Sequence, residues 1–179
     1  TFDVASKPKL VSFDYESTLR KELIFKKTAD ELIYQLNNDS DILGRRWALV
    51  ELARSIETSN DKAKIIGAIR SSAEKDQSWM IRQDAIEALK EMYAPTPPPG
   101  VTPAPIRLDD ATTQMLLRAT KDGQSAIRAN AFELLGATKD ARYADLYVAA
   151  LNDRSYAVID AAANALGNTR SPKAFDQLV

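Results

Sequence analysis

The 179-residue sequence contains no histidine and no cysteine. Their absence removes the usual nitrogen and sulfur ligands of zinc, the usual general base of hydrolytic triads, and every disulfide or thiolate reaction. Acid–base work by a carboxylate pair stays open in principle, but the Asp and Glu residues fall mostly on the polar faces and at the starts of expected helices. A surplus of one charge is missing too. Lys and Arg number 24 against 25 Asp and Glu, a formal net charge of −1. The diffuse attraction behind non-specific nucleic-acid binding therefore has no obvious source, and nucleic acid is not an expected partner. No apolar run approaches the roughly 18 residues that a spanning helix needs, so no membrane partner is expected and the chain should be soluble. Lack of cysteine fits a reducing cytoplasm and many exported proteins alike, which leaves the compartment, cytoplasmic or periplasmic, open. The first residues, "TFDVASKPKL", show no basic leader followed by an apolar segment.

What the chain does have is repetition. "IRQDAIEALK" at 81–90 returns as "IRANAFELLG" at 127–136. Aligning on the aspartate that precedes each copy gives four columns. Asp39, Asp76, Asp122 and Asp153 begin them; Arg45, Arg82 and Arg128 follow at plus six; Ala48, Ala85, Ala131 and Ala162 at plus nine; Leu52, Leu89, Leu135 and Leu166 at plus thirteen. Only Ile159 breaks the arginine column. Successive aspartates are 37, 46 and 31 residues apart, the period of a stacked repeat array and not of one globular core.

Residues 1–27 read differently. "TFDV", "KLVSFDY" and "LRKELIF" are short, rich in β-branched and aromatic residues and roughly alternating, so they are expected to be strands, the tail of an upstream β-sandwich. From Thr28 the period is helical to residue 179. Thr28 with Glu31 forms a capping box, and helix pairs are expected at about 28–36 with 42–55, 60–75 with 78–93, 110–121 with 125–135, and 141–151 with 155–166. "APTPPPGVTPAP", residues 94–105, interrupts the second and third pairs as an extended, exposed insertion. Gly136 and Gly167 suit the left-handed residue just past a helix end. "SPKAFDQLV" starts a fifth repeat and then stops, so both ends are expected to be cut points in a longer chain.

Alanine at plus nine and leucine at plus thirteen lie four apart on one helix face and are expected in the core. Aspartate near the start of a second helix can cap its backbone, and arginine six residues on can meet the aspartate of the neighbouring repeat. Helix pairs carrying "D…R..A…L" resemble HEAT repeats. That resemblance implies an all-α, HEAT-like α-α superhelix, a solenoid of about four helix pairs over 28–179, preceded by a short β segment. It also implies that Asp39, Asp76, Asp122, Asp153, Arg45, Arg82 and Arg128 form a structural ladder.

"LVSFDYESTLRKELIFKKTADELIYQL" resembles the junction in aminopeptidase N-type zinc metallopeptidases where a β-sandwich runs into helices. The matching residues are Val11, Phe13, Asp14, Leu19, Lys21, Leu23, Phe25, Tyr34, Gln35 and Leu36, with a departure at Tyr15 where that family often has proline. The resemblance implies a non-catalytic C-terminal region whose partner is the catalytic domain of the parent polypeptide, with zinc expected in that upstream domain and none in this chain. Peptide substrate or a protein partner would lie on the concave face. No catalytic, cofactor-binding or metal-binding residue carries over. The alternative is a free-standing HEAT scaffold that binds a protein partner; a HEAT-like lyase acting on a tetrapyrrole fits less well without His or Cys.

Overall fold

The computed structural model describes residues 5–20, 25–172 and 174. Among these residues the chain is all-α, with eight helices, two short 3-10 turns and no strand. The helices are α1 (Ala29–Asn38), α2 (Ile42–Ser55), α3 (Lys62–Lys75), α4 (Trp79–Tyr93), α5 (Asp110–Ala119), α6 (Ser125–Ala137), α7 (Ala144–Ala150) and α8 (Tyr156–Thr169). They divide into two compact units, Thr1–Ala85 and Ile86–Val179, with the boundary inside α4.

In the first unit α1 packs on α2 and on α3. The capping box that opens α1 is formed: Thr28 N–H donates to Glu31 Oε2 at 2.9 Å and Glu31 N–H to Thr28 Oγ1 at 3.3 Å. Leu32 and Leu36 then fall on the buried face with Leu49 and Leu52 of α2 and Ile65 and Ile69 of α3. In the second unit α5 packs on α6, α7 on α8, and α6 on α8. The alanine and leucine columns are core in both. Ala48, Ala85, Ala131, Ala162, Leu52, Leu89, Leu135 and Leu166 are each 0% exposed, and each buried leucine contributes roughly 1.5–3 kcal/mol relative to exposure.

Two expectations need correction. "KLVSFDY" is not a strand: Asp14, just before a 3-10 turn at Tyr15–Ser17, and Glu16, inside it, take positive φ, 58° and 64°. Its polar groups go to the α1–α2 turn and not to a sheet ladder, with Ser12 Oγ donating to Asp39 and Glu16 N–H to Asp41. The strand expected at "TFDV", and part of that at "LRKELIF", lies outside the described residues. Gly136 and Gly167 are not left-handed caps either; both are inside their helices, and the left-handed positions fall three residues later, at Lys139 and Arg170. Gly136 serves packing. A Cβ there would stand 2.6 Å from Ala165 Cβ and 2.9 Å from its Cα, so the bare glycine lets α6 and α8 close on each other. Each helix instead ends on a threonine that sequence reading passed over. Thr138 Oγ1 donates to Leu135 O and Thr169 Oγ1 to Leu166 O, and each accepts the N–H two residues on.

The proline-rich stretch carries no helix. Val101 N–H donates to Pro98 O at 3.1 Å across a turn whose third residue, Gly100, has φ 81°, a backbone that glycine adopts without a Cβ clash. Its far end is tied to the end of α6 by Ile106 N–H on Ala137 O and by Lys139 Nζ on Pro103 O.

Candidate functional site

The column aspartates sit in the turns between the two helices of each pair, and the column arginines near the start of the second helix. Each column aspartate accepts the N–H two residues on, forming an Asx turn into the next helix: Asp39 from Asp41 at 3.0 Å, Asp76 from Ser78 at 2.8 Å, Asp122 from Gln124 at 2.8 Å and Asp153 from Ser155 at 2.9 Å. Each column arginine reaches back six residues and donates through Nη1 to the backbone carbonyl of its own aspartate. Arg45 meets Asp39 O at 2.9 Å, Arg82 meets Asp76 O at 3.0 Å, and Arg128 meets Asp122 O at 2.8 Å.

Two of the arginines also bridge forward within a unit. Arg45 binds Asp76 through Nε at 3.0 Å and Nη2 at 3.2 Å, and Arg128 binds Asp153 through Nε at 2.9 Å and Nη2 at 2.8 Å. Both are forked, two-bond pairs, the geometry that gives guanidinium–carboxylate contacts their strength and direction. The Arg128 hydrogen bond holds the Asp153 carboxyl below its ordinary value, and Asp153 in turn raises Arg128. Asp39 is held otherwise. Its Oδ2 accepts Ser12 Oγ at 2.8 Å and Gln35 Nε2 at 3.0 Å, and it is 5% exposed. Asp39, Asp76, Asp153, Arg45 and Arg128 are thus engaged by the fold and offer a reacting molecule little.

Elsewhere the surface is more available. Three residues after Asp39, Asp76 and Asp153, at the start of the second helix of each pair, stand Ile42, Trp79 and Tyr156, exposed by 37%, 44% and 88%. The third pair has Ser125 at this register. The signal lay in the repeat alignment, one column over from the charged positions. The first unit also holds a cleft of about 630 Å³ between residues 11–19 and α2, lined by Phe13, Leu19, Phe25, Lys27, Leu43 and Trp47 among others. The Phe25 and Trp47 rings stack at 6.4 Å, with Lys27 Nζ 4.8 Å and 5.3 Å from their centroids.

Among the described residues no group of three or more Asp, Glu, His or Cys side chains could hold a metal ion, and no helix is long and apolar enough to cross a membrane. A family model of HEAT repeats matches residues 112–179. No curated protein matches the chain at a significant level. The matched stretch covers α6, α7 and α8 with most of α5, and its helix pairs carry the same columns as those before it except at Ile159.

Proposed function

We propose that this chain is a protein-binding helical-repeat segment. One observation carries the reading: large apolar side chains recur, exposed, at one register of the second helix, at Ile42, Trp79 and Tyr156. Apolar aromatics held on rigid helices and left uncovered are the anchors from which protein interfaces are built. The column aspartates and arginines, in this reading, are a structural ladder that fixes one helix pair against the next. A photo-crosslinking residue placed at 79 or at 156 should capture the same protein in the source cell. With the crosslinker at 79, Tyr156→Glu should abolish that capture, and with it at 156, Trp79→Glu should, neither moving Tm; capture that survives the substitution contradicts the reading.

A finer reading makes the partner covalently attached: the C-terminal region of a zinc aminopeptidase, covering the active site and controlling peptide access. The resemblance at Val11, Phe13, Asp14 and Leu19 supports it, as does the bonding of that segment to the first helix pair through Ser12 and Glu16. Deleting residues 28–179 from such a parent should leave turnover of a small aminoacyl reporter unchanged while admitting folded substrates. A parent sequence without an upstream His-Glu-x-x-His motif overturns this reading and leaves the first intact.

A further inference from the structure

The cleft beside α2 contains an ammonium group that the fold positions but does not neutralise. Lys27 Nζ donates to two neutral oxygens, Val11 O and Gln35 Oε1, each at 2.5 Å. Gln35 is itself oriented, because its Nε2 donates to Asp39 Oδ2 and to Gly44 O, which turns its carbonyl oxygen toward the lysine. The nearest carboxylates are engaged elsewhere: Asp39 accepts Ser12, Gln35 and Asp41, and Glu31 accepts Thr28 and pairs with Lys7. An ammonium has three N–H donors. Among the described residues two go to oxygens, which leaves one, beside the Phe25 and Trp47 rings, for a ligand.

Apolar and aromatic side chains wall part of the cleft, and the other cations that line it, Arg46 and Arg54, pair with Asp84 and Glu51. Phe25 and Trp47 form a stacked pair against the lysine, while Phe13 and Leu19 are 57% and 60% exposed along one side and Leu43 is 42% exposed along the other. A cleft of about 630 Å³ falls within the roughly 300–1,000 Å³ that small-ligand sites occupy. Its carboxylates offer an incoming group little. Asp14 is used up in its own turn by Thr18 and Leu19, Asp41 accepts Glu16 and Leu43, and Glu51 pairs with Arg54. A ligand that suits this arrangement has one carboxylate with apolar groups adjoining it.

We propose that the cleft binds the carboxyl terminus of a peptide ending in large apolar residues, its carboxylate on Lys27 Nζ and its last side chains against Trp47, Phe13 and Leu43. The proposal gives the partner of the array a chemistry, and it rests on the protein-binding reading only in taking the carboxylate from a polypeptide. Burial lowers the Lys27 ammonium below its ordinary value despite the pull of Asp39 and Glu31. A bound carboxylate relieves that cost, since an opposite charge favours the protonated form.

The test uses the full chain with Trp79→Phe, which leaves Trp47 as the one tryptophan. The ligands are N-acetyl-Ala-Ala-Leu-Phe as free acid, the same peptide as its C-terminal amide, and octanoate, followed by Trp47 fluorescence and by calorimetry. The free acid should bind at least about ten-fold more tightly than the amide, the worth of one charge-assisted hydrogen bond. Lys27→Met should erase that difference. Phe13→Ala, at a position 57% exposed, should weaken both peptides several-fold. Equal binding of acid and amide, or no change at Trp47, overturns the proposal. Octanoate binding as tightly as the peptide acid overturns the peptide source. Loss of peptide binding here with crosslinking at 79 and 156 retained removes this site alone and leaves the protein-binding array standing.

Discussion

The turn between α1 and α2 and the turn between α7 and α8 treat the backbone alike and differ in what grips the carboxylate. Asp39 and Asp153 each accept the N–H two residues on, at 3.0 and 2.9 Å. Asp153 is then held by the guanidinium of Arg128 through two bonds, whereas Asp39 is held by the neutral donors Ser12 and Gln35. The local turn therefore depends on the aspartate alone, and the second set of bonds can come from whatever lies alongside. In the second unit it is the preceding helix pair; in the first unit, for Asp39, it is the segment before α1.

The comparison can be broken at its glycines, where the largest effects are expected. Gly136→Ala puts a methyl group against Ala165 Cα at 2.9 Å, a backbone atom that moves only with its helix, and should cost the second unit about 1–3 kcal/mol. Gly44→Ala puts one 2.3 Å from Asp39 Oδ2 and should displace that carboxylate from its donors, at a similar or smaller cost confined to the first unit. Gly167→Ala meets open space inside α8 and should stabilise by roughly 0.5–1 kcal/mol. Urea titrations followed by Trp47 and Trp79 fluorescence for the first unit, and by far-UV circular dichroism for the whole, separate the three.

The arginines come next. Arg45→Ala leaves Asp76, whose side chain is 7% exposed, without its forked partner and should cost about 1–3 kcal/mol. Arg142→Ala, which removes an exposed arginine bound only to its near neighbour Asp140, should leave the urea midpoint where it was.

Acid sharpens the same contrast on the second unit. Arg128 holds the Asp153 carboxyl below its unfolded value, so the stabilisation is fully present above that value, about pH 4, and is lost as pH falls through the folded one. The stability gap between the wild type and Arg128→Met should be constant from pH 7 to about 5 and shrink below about 4. A gap that widens in acid contradicts the assignment. A small effect is also expected at Tyr147, whose buried hydroxyl has no hydrogen-bond partner among the described residues. Tyr147→Phe should keep its packing on Phe132 and Tyr143 and change stability by about 0 to +1 kcal/mol, read as an unchanged or raised Tm.

Much of the fold was legible because it is written in periods. The plus-nine and plus-thirteen columns sit four residues apart, which a helix converts directly into one buried face, and the start of α2 at Ile42 and its end at Ser55 follow from that pattern. The errors have one cause: a local signal whose meaning depended on a distant partner. Gly136 looks like a helix stop until Ala165 is placed against it. "KLVSFDY" alternates like a strand, but Asp39 and Asp41 supply acceptors that no sheet has to compete with. The Lys27 cleft was hidden for the same reason, since its parts are Val11, Phe25, Gln35 and Trp47, and no spacing rule joins them.

The central claim is that the arginine of one helix pair holds the aspartate of the next, and a double-mutant cycle on Arg45 and Asp76 tests it most directly. Arg45→Met removes the fork, and Asp76→Asn keeps Oδ1, which accepts both Ser78 N–H and Arg45 Nη2, so the cycle reads the charge and the Nε bond with the turn left intact. Stability read from the tryptophans, both in the first unit, should show a coupling of about 1–3 kcal/mol that salt reduces only slightly, because both side chains are largely buried. Additive single mutants, with a coupling under about 0.3 kcal/mol, would contradict the account and leave the repeated charges as local turn formers alone.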